Sequence, residues 1–310
     1  MLRRVRIALR TGPPLLALAV LFAQASPALA ASDSGKKTIV VTYSILGAIV
    51  RDLMGDKATV IVPMPNGQDP HEWEPSAKDI ETINKANLVV QNGLGLEGGM
   101  EKTLQQAKKA GVKFFTVSDH IKVRRVGPGE GIPAGDPDQA VGAQDPHLWM
   151  DPTAMKMVEQ ALAAGLKADL GIDFSDRARD LAIRLDNLDQ EITRTVAQVP
   201  QANRRLVTGH ESMGYFAQRY GFRLVGAIIP GLTSQAQVSA RELASLKKQI
   251  QKNRVKAIFT ELGTEPVVAQ AIGKETGVRV VELTTHNLPE DGSYFTFMRN
   301  LTKVITDALK

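Results

Sequence analysis

The chain has 310 residues, with 38 Lys and Arg against 33 Asp and Glu, five histidines, two tryptophans and no cysteine. The absence of cysteine excludes a disulfide framework and leaves no thiol to carry a lipid anchor. Setting apart residues 1–30, with Arg3, Arg4, Arg6 and Arg10, lowers the formal charge from +5 to +1, so the pI near 9.3 implies neither a nucleic-acid partner nor an anionic membrane surface.

Residues 1–30 read as a cleaved secretory signal: a basic start, a largely apolar run from Pro14 to Ala25, and the small-residue site Ala28-Leu29-Ala30. The apolar run is too short for a membrane span and is broken by Gln24, Ser26 and Pro27. A soluble, unlipidated protein of the periplasm is expected. About 280 residues remain, near the upper limit for one core, which favours two lobes.

Strand and helix patterns alternate from Thr38 onward. Strands are expected at 38–43, 60–62, 88–91 and 112–117, with helices after Ile45, after the capping box Ser76/Asp79, and over Lys102 to Lys109. Such alternation predicts a parallel sheet with helices on both faces, and ligands bind beyond the carboxyl ends of its strands. From His120 to Gln144 the chain is rich in Gly, Pro and Asp and lacks periodicity, so a mobile surface loop is expected. A helix over 153–170 is followed by the longest helical pattern, Asp176 to Val199, whose stripe runs through Leu181, Leu185, Leu188, Ile192 and Val196. It would span roughly 36 Å and join two lobes stiffly. Strands at 205–208, 222–229, 255–260 and 278–283 then alternate with helices, one opened by the capping box Ser239/Glu242. The expected architecture is α/β: a lobe at 31–174, a linker helix at 175–200 and a second lobe at 201–310.

Both tryptophans and two histidines fall in two similar words, Asp69-Pro70-His71-Glu72-Trp73 and Asp145-Pro146-His147-Leu148-Trp149. Asp-Pro starts a turn, so each histidine is mounted on a rigid bend, and the tryptophan two residues on can wall it from behind. His210 stands at a strand end in the second half. Three imidazoles from separate loops, completed by one more ligand, suit zinc. His286 follows the last strand on the same rim, whereas His120 has no such placement and reads as a surface residue. Glu72, Glu74, Asp145 and Asp151 flank the histidine words and are candidates to orient the rings from behind. Glu211 and Glu261 are candidates for a cleft-lining carboxylate or a hydrolytic base.

The words Asp69 to Ser76, Asn92-Gly93-Leu94-Gly95-Leu96-Glu97, Asp145 to Pro152 and Val207-Thr208-Gly209-His210 occur in the order found in the zinc- and manganese-binding solute-binding proteins of ABC importers (cluster A-I). The resemblance covers essentially the whole chain after residue 30. It implies two α/β lobes joined by one long helix, with a divalent metal buried between them as transported ligand. The family's first two histidines map onto His71 and His147. Its third ligand, His in zinc-type members and Glu in manganese-type members, maps onto His210, which favours Zn2+ over Mn2+ or Fe2+. The family often places a ligating Asp after the last strand, but this chain has Thr284-Thr285-His286 there. His286 is assigned as fourth ligand by position, with Glu261, Glu211 or water as alternatives. The loop 121–144 lacks the histidines that many zinc-type members carry. The expected partner is an ABC permease, the expected state a monomer, and no enzymatic activity is expected. The rival from another class is a zinc hydrolase using Glu211 or Glu261 as base, which lacks a His-Glu-x-x-His helix.

Overall fold

A computed structural model describes residues 35–130 and 141–310. The export segment assigned to 1–30 and the middle of the loop 121–144 lie outside the described residues. The order begins with β1 (Lys37–Val41), α1 (Ser44–Met54), β2 (Ala58–Ile61), α2 (Ala77–Asn84), β3 (Leu88–Gln91), α3 (Glu101–Lys109) and β4 (Phe114–Thr116). These strands make one parallel sheet in the order β2-β1-β3-β4. Alternation along them assigns each side chain to a face. Ile39, Val41, Leu88 and Val90 join one cluster with Ile49 and Leu53 of α1, while Val40 and Val89 pack with Ile83 of α2 and Leu104 and Ala107 of α3. Both faces are covered, so Ile39, Val40 and Val41 are fully buried, as a central parallel strand requires.

Two long helices follow, α4 (Pro152–Leu170) and α5 (Ser175–Val196). Asp151 caps α4 by accepting the Thr153 N–H, Pro152 occupies its first turn, and Gly171 (φ 69°) ends it in the left-handed conformation. The 22 residues of α5 rise about 33 Å. Its stripe Leu181, Leu185, Leu188, Ile192 and Val196 is buried as expected, but the helix ends at Val196 rather than Val199, whose side chain remains buried in the turn beyond.

The second half contains β5 (Arg205–Thr208), α6 (Gly214–Tyr220), β6 (Arg223–Ala227), α7 (Ala240–Lys252), β7 (Ala257–Thr260), α8 (Pro266–Thr276), β8 (Arg279–Glu282) and α9 (Tyr294–Leu309). Its parallel ladders form two separate pairs, β5-β6 and β7-β8, with β5 lying beside β7. The same alternation holds: Leu206, Leu224, Ala257 and Phe259 belong to the large cluster shared with the first half, and Val207, Val225 and Ile258 pack with Leu246 and Ile250 of α7 and Ile272 of α8. The large cluster is therefore continuous from Ile39 through α5 to Phe259. The capping boxes at Ser76/Asp79 and Ser239/Glu242 both form. Among the described residues no helix is long and apolar enough to cross a membrane.

The expectation of a mobile loop from His120 to Gln144 needs correction at its described ends. Arg124 and Val126 are buried, Val126 N–H donates to Ala143 O at 2.9 Å, and Gly142 N–H donates to Val126 O at 2.8 Å. Gly and Pro content signalled irregular backbone, but an irregular segment can still be pinned by its hydrogen bonds.

Candidate metal centre

Four histidines arrive at one point from four connections. His71 follows β2, His147 precedes a short 3-10 turn at Leu148–Met150, His210 follows β5 by two residues, and His286 follows β8. Their relative exposures are 3, 0, 1 and 3%, and one ring nitrogen from each lies within 4.8 Å of the others. His71 Nε2 is 3.3 Å from His147 Nε2, which is 3.1 Å from His210 Nε2. Zinc–nitrogen bonds of about 2.0–2.1 Å give a regular tetrahedron with edges of roughly 3.3–3.4 Å. The His71–His147 and His147–His210 spacings are close to such an edge.

Local sequence sets the approach of each ring. In both histidine words the Asp two residues earlier accepts the backbone N–H of the histidine, Asp69 Oδ1 from His71 at 2.9 Å and Asp145 Oδ1 from His147 at 3.0 Å. The His71 turn rests on backbone: a Cβ at Gly98 would lie 2.7 Å from His71 O. Trp149 is fully buried, with its ring centroid 5.3 Å from that of His147 and 5.7 Å from that of His286, and its indole N–H donates to Thr285 O at 3.3 Å. It is the expected wall. Trp73 instead packs, half-buried, against the apolar clusters.

Behind the rings stand hydrogen-bond acceptors that set the tautomers. Asp145 Oδ1 lies 2.9 Å from His147 Nδ1 and accepts a hydrogen bond from its N–H. Thr285 donates its hydroxyl to Glu261 Oε2 at 2.6 Å, so the same hydroxyl accepts Nδ1–H of His286 at 2.9 Å. Glu261 Oε1 accepts the backbone N–H of His210 at 2.8 Å and lies 3.1 Å from its Nδ1, near enough for attraction although the angle is not that of a hydrogen bond. Gly209 permits this approach, since a Cβ there would lie 2.5 Å from Glu261 Cγ. For His147 and His286 the consequence is that the Nε2 lone pair faces inward, and His286 Nε2 is buried with no partner.

Electrostatics separate the four. Burial, then the neighbouring imidazoles, hold His71 well below the ordinary histidine range. Burial also lowers His147, against the opposing pull of Asp145. His286 is pushed down to about 4, by burial and then by His210. For His210 burial works downward too, but Glu261 outweighs it and the net shift is upward. Glu261 itself is depressed to about 2: burial raises it, and His210, His286 and the Thr285 hydroxyl overcome that.

The remaining candidates separate cleanly. Asp145 orients a ring as expected, whereas Glu72 and Glu74 are exposed and Asp151 caps α4. Glu211 is buried beside the site, raised to about 7 by burial and then by Asp145. His120 is exposed and stacks on Phe115, 4.2 Å between centroids. Sequence reasoning missed Asp69 as a buried carboxylate, and Ser212 and Thr285 as partners of Glu261. Asp recurring two residues before both histidines was the available signal for the first.

A family model described as zinc-uptake complex component A, periplasmic, matches residues 39–308. The chain is 27% identical over 304 residues to the metal ABC transporter substrate-binding lipoprotein SsaB of Streptococcus sanguinis, covering 94% of this chain and 95% of that protein. It is likewise 27% identical over 303 residues to the manganese ABC transporter substrate-binding lipoprotein PsaA of Streptococcus anginosus, covering 93% and 94%. The fold is shared with the periplasmic zinc-binding protein TroA from Treponema pallidum (TM-score 0.74, 23% identity, 89% of this chain and 99% of that one). It is also shared with a Mn-bound periplasmic metal-binding protein from Candidatus Liberibacter asiaticus (TM-score 0.75, 24% identity, 89% and 100%). These relatives are binding components rather than enzymes, which removes the hydrolase alternative. The chain belongs to the zinc-uptake complex component A family, the extracytoplasmic metal-binding components of ABC importers.

Proposed function

We propose that the protein captures one Zn2+ through Nε2 of His71, His147, His210 and His286 and hands it to the permease of an ABC importer. One observation carries this reading. His147 and His210 present Nε2 atoms 3.1 Å apart while Asp145 and Glu261 stand at their Nδ1 atoms. With both rings neutral and protonated at Nδ1, two lone pairs meet at that distance, and a cation between them turns repulsion into coordination. The donor set supports zinc: imidazoles alone suit that ion, whereas manganese favours carboxylate and water oxygens. The manganese-named relatives motivate the other metal, which would draw a carboxylate such as Glu261 into the ligand set.

Capture involves no covalent chemistry. The protein supplies preset ring orientations, exclusion of water and the negative charge of Asp145 and Glu261 behind the rings. We further propose that it acts as a monomer with lobes at 31–174 and 201–310 around the linker helix. Its relatives are named lipoproteins, but a chain without cysteine has no thiol for a lipid, so we place it free in the periplasm.

The test is a competitive titration of protein stripped by chelator under denaturing conditions and refolded. One equivalent of Zn2+ should bind, displace Mn2+ at equal concentration and give X-ray absorption with four imidazole ligands. Mn2+ binding as tightly as Zn2+ would overturn the zinc assignment. Three-imidazole scattering, with His286→Ala binding zinc normally, would overturn the fourth ligand.

A further inference from the structure

We propose that Arg124, at the foot of the segment 121–144, is a positioning residue that locks the His147 ring in its binding orientation; this rests on His147 being a ligand. Asp145 is fully buried and its two oxygens are divided between two tasks. Oδ1 takes both the backbone N–H and the Nδ1–H of His147, at 3.0 and 2.9 Å. Oδ2 takes Nη1–H of Arg124 at 3.0 Å, and no other side chain among the described residues bonds that oxygen. Without the guanidinium, the carboxylate is held at Oδ1 alone and is free to turn about that oxygen.

Arg124 is itself held from several sides. It is 7% exposed, its Nη2 pairs with Glu130, its backbone N–H donates to Tyr215 Oη at 2.9 Å, and its carbonyl accepts Asp145 N–H at 3.0 Å. Tyr215 belongs to α6, so the ion pair is braced by the second half of the chain. The first residue of α6 matters equally: a Cβ on Gly214 would lie 2.1 Å from Asp145 Oδ2 and 2.4 Å from Arg124 Nη1. Only glycine lets the pair sit there. The foot of the segment is zipped by the Arg125–Gln144 bridge, so a displacement of the foot is transmitted through Arg124 and Asp145 to one ligand ring. A structural ion pair that merely stabilised the fold would have no reason to share its carboxylate with a candidate ligand.

The experiment uses the mature protein in wild-type, Arg124→Gln, Arg124→Lys and Gly214→Ala forms. Nitrogen-15 NMR of the metal-free protein, at a pH where the rings are neutral, reads the tautomer of His147. Chelator capture reads zinc dissociation, and melting temperature controls for folding. Wild type should hold the Nδ1–H tautomer. Arg124→Gln should mix the two tautomers and release zinc about tenfold faster or more, the scale of losing an outer hydrogen-bond partner of a metal ligand. Gly214→Ala, which removes no charge, should shift both readouts the same way, and Arg124→Lys should restore part of each. Folded Arg124→Gln and Gly214→Ala proteins with the wild-type tautomer and release rate would overturn the proposal. If wild type binds no zinc yet the tautomer follows the ion pair, the ligand reading fails and the positioning role stands.

Discussion

The two Asp-Pro-His words are alike in sequence and in one hydrogen bond, yet they hold their rings differently. Both aspartates accept the histidine N–H two residues on. Asp145 also grips the His147 ring and is answered by Arg124, whereas Asp69 Oδ2 is buried without a partner and the His71 ring forms no ion pair with a carboxylate among the described residues. A short motif thus fixes a turn, while the electrostatic character of the residue it presents is set by whatever distant side chain reaches it. The His147 ring is oriented by a network; at His71 it is the backbone that is held, by Asp69 and by the close approach of its carbonyl to Gly98.

The largest effects should ignore this difference. His71→Ala and His147→Ala should each weaken zinc binding beyond the ~10–100-fold that loss of an outer partner costs, measured by chelator competition, while His120→Ala changes nothing. If either ligand variant behaves like His120→Ala, that histidine is not a ligand. The next effect should expose the difference: Asp145→Asn should cost about 10–100-fold in zinc affinity, and Asp69→Asn clearly less. Equal losses from the two would mean that the shared turn, and not the grip on the ring, is what matters.

Acid titration sharpens the comparison further, because neither twin should be the first to protonate. His71 and His147 are both held below the usual histidine range, whereas Glu261 raises His210. Zinc affinity should therefore begin to fall at His210, by up to about tenfold per pH unit for one competing proton, and steepen below about pH 6.5, the ordinary histidine value. For the metal-free fold the two kinds of histidine act with opposite signs. The three lowered histidines take up protons in the unfolded chain first, so their contribution is full above about 6.5 and is lost as pH falls. His210 contributes stability below about 6.5 that is lost as pH rises through its raised value. Three against one, the histidines' own contribution to the melting temperature should drop on acidification. Constant zinc affinity from about pH 7.5 to 5.5, spanning the reference histidine value, would argue against a histidine site.

The smallest effect on the site should come from Glu159, a carboxylate on α4 that is fully buried with neither oxygen bonded. Burial raises it to about 8, so the folded chain keeps it protonated where the unfolded chain does not. Its contribution is thus lost as pH rises between about 4.5 and 8, on the order of a few kcal/mol. Glu159→Gln should flatten the stability curve over that range in calorimetry and leave zinc affinity unchanged. An unaltered curve would show that Glu159 is ionised in the folded protein.

The fold was largely legible because its signals are local. The short apolar runs within Thr38 to Tyr43 and Arg205 to Thr208, the two capping boxes and the stripe of α5 each need only neighbours in sequence. His71, His147 and His210 were legible as repeated words and strand ends. What sequence did not reveal depends on distance: Arg124 meets Asp145 across 21 residues, and Ser212 meets Glu261 across 49. Irregular composition after His120 likewise gave no sign that its ends are zipped, since those bonds are backbone to backbone and carry no side-chain signature.

The continuous apolar cluster that runs from Ile39 through α5 to Phe259 leaves no plane along which the two halves can easily part. An ion held as proposed by the four histidines, each at most 3% exposed, would then be expected to escape through local breathing rather than through an opening hinge. Such a container keeps a history. The metal found in freshly purified protein would reflect which ion arrived first and was sealed in, not which ion binds best. Its metal content becomes a measure of preference only after the vessel has been emptied and offered a choice.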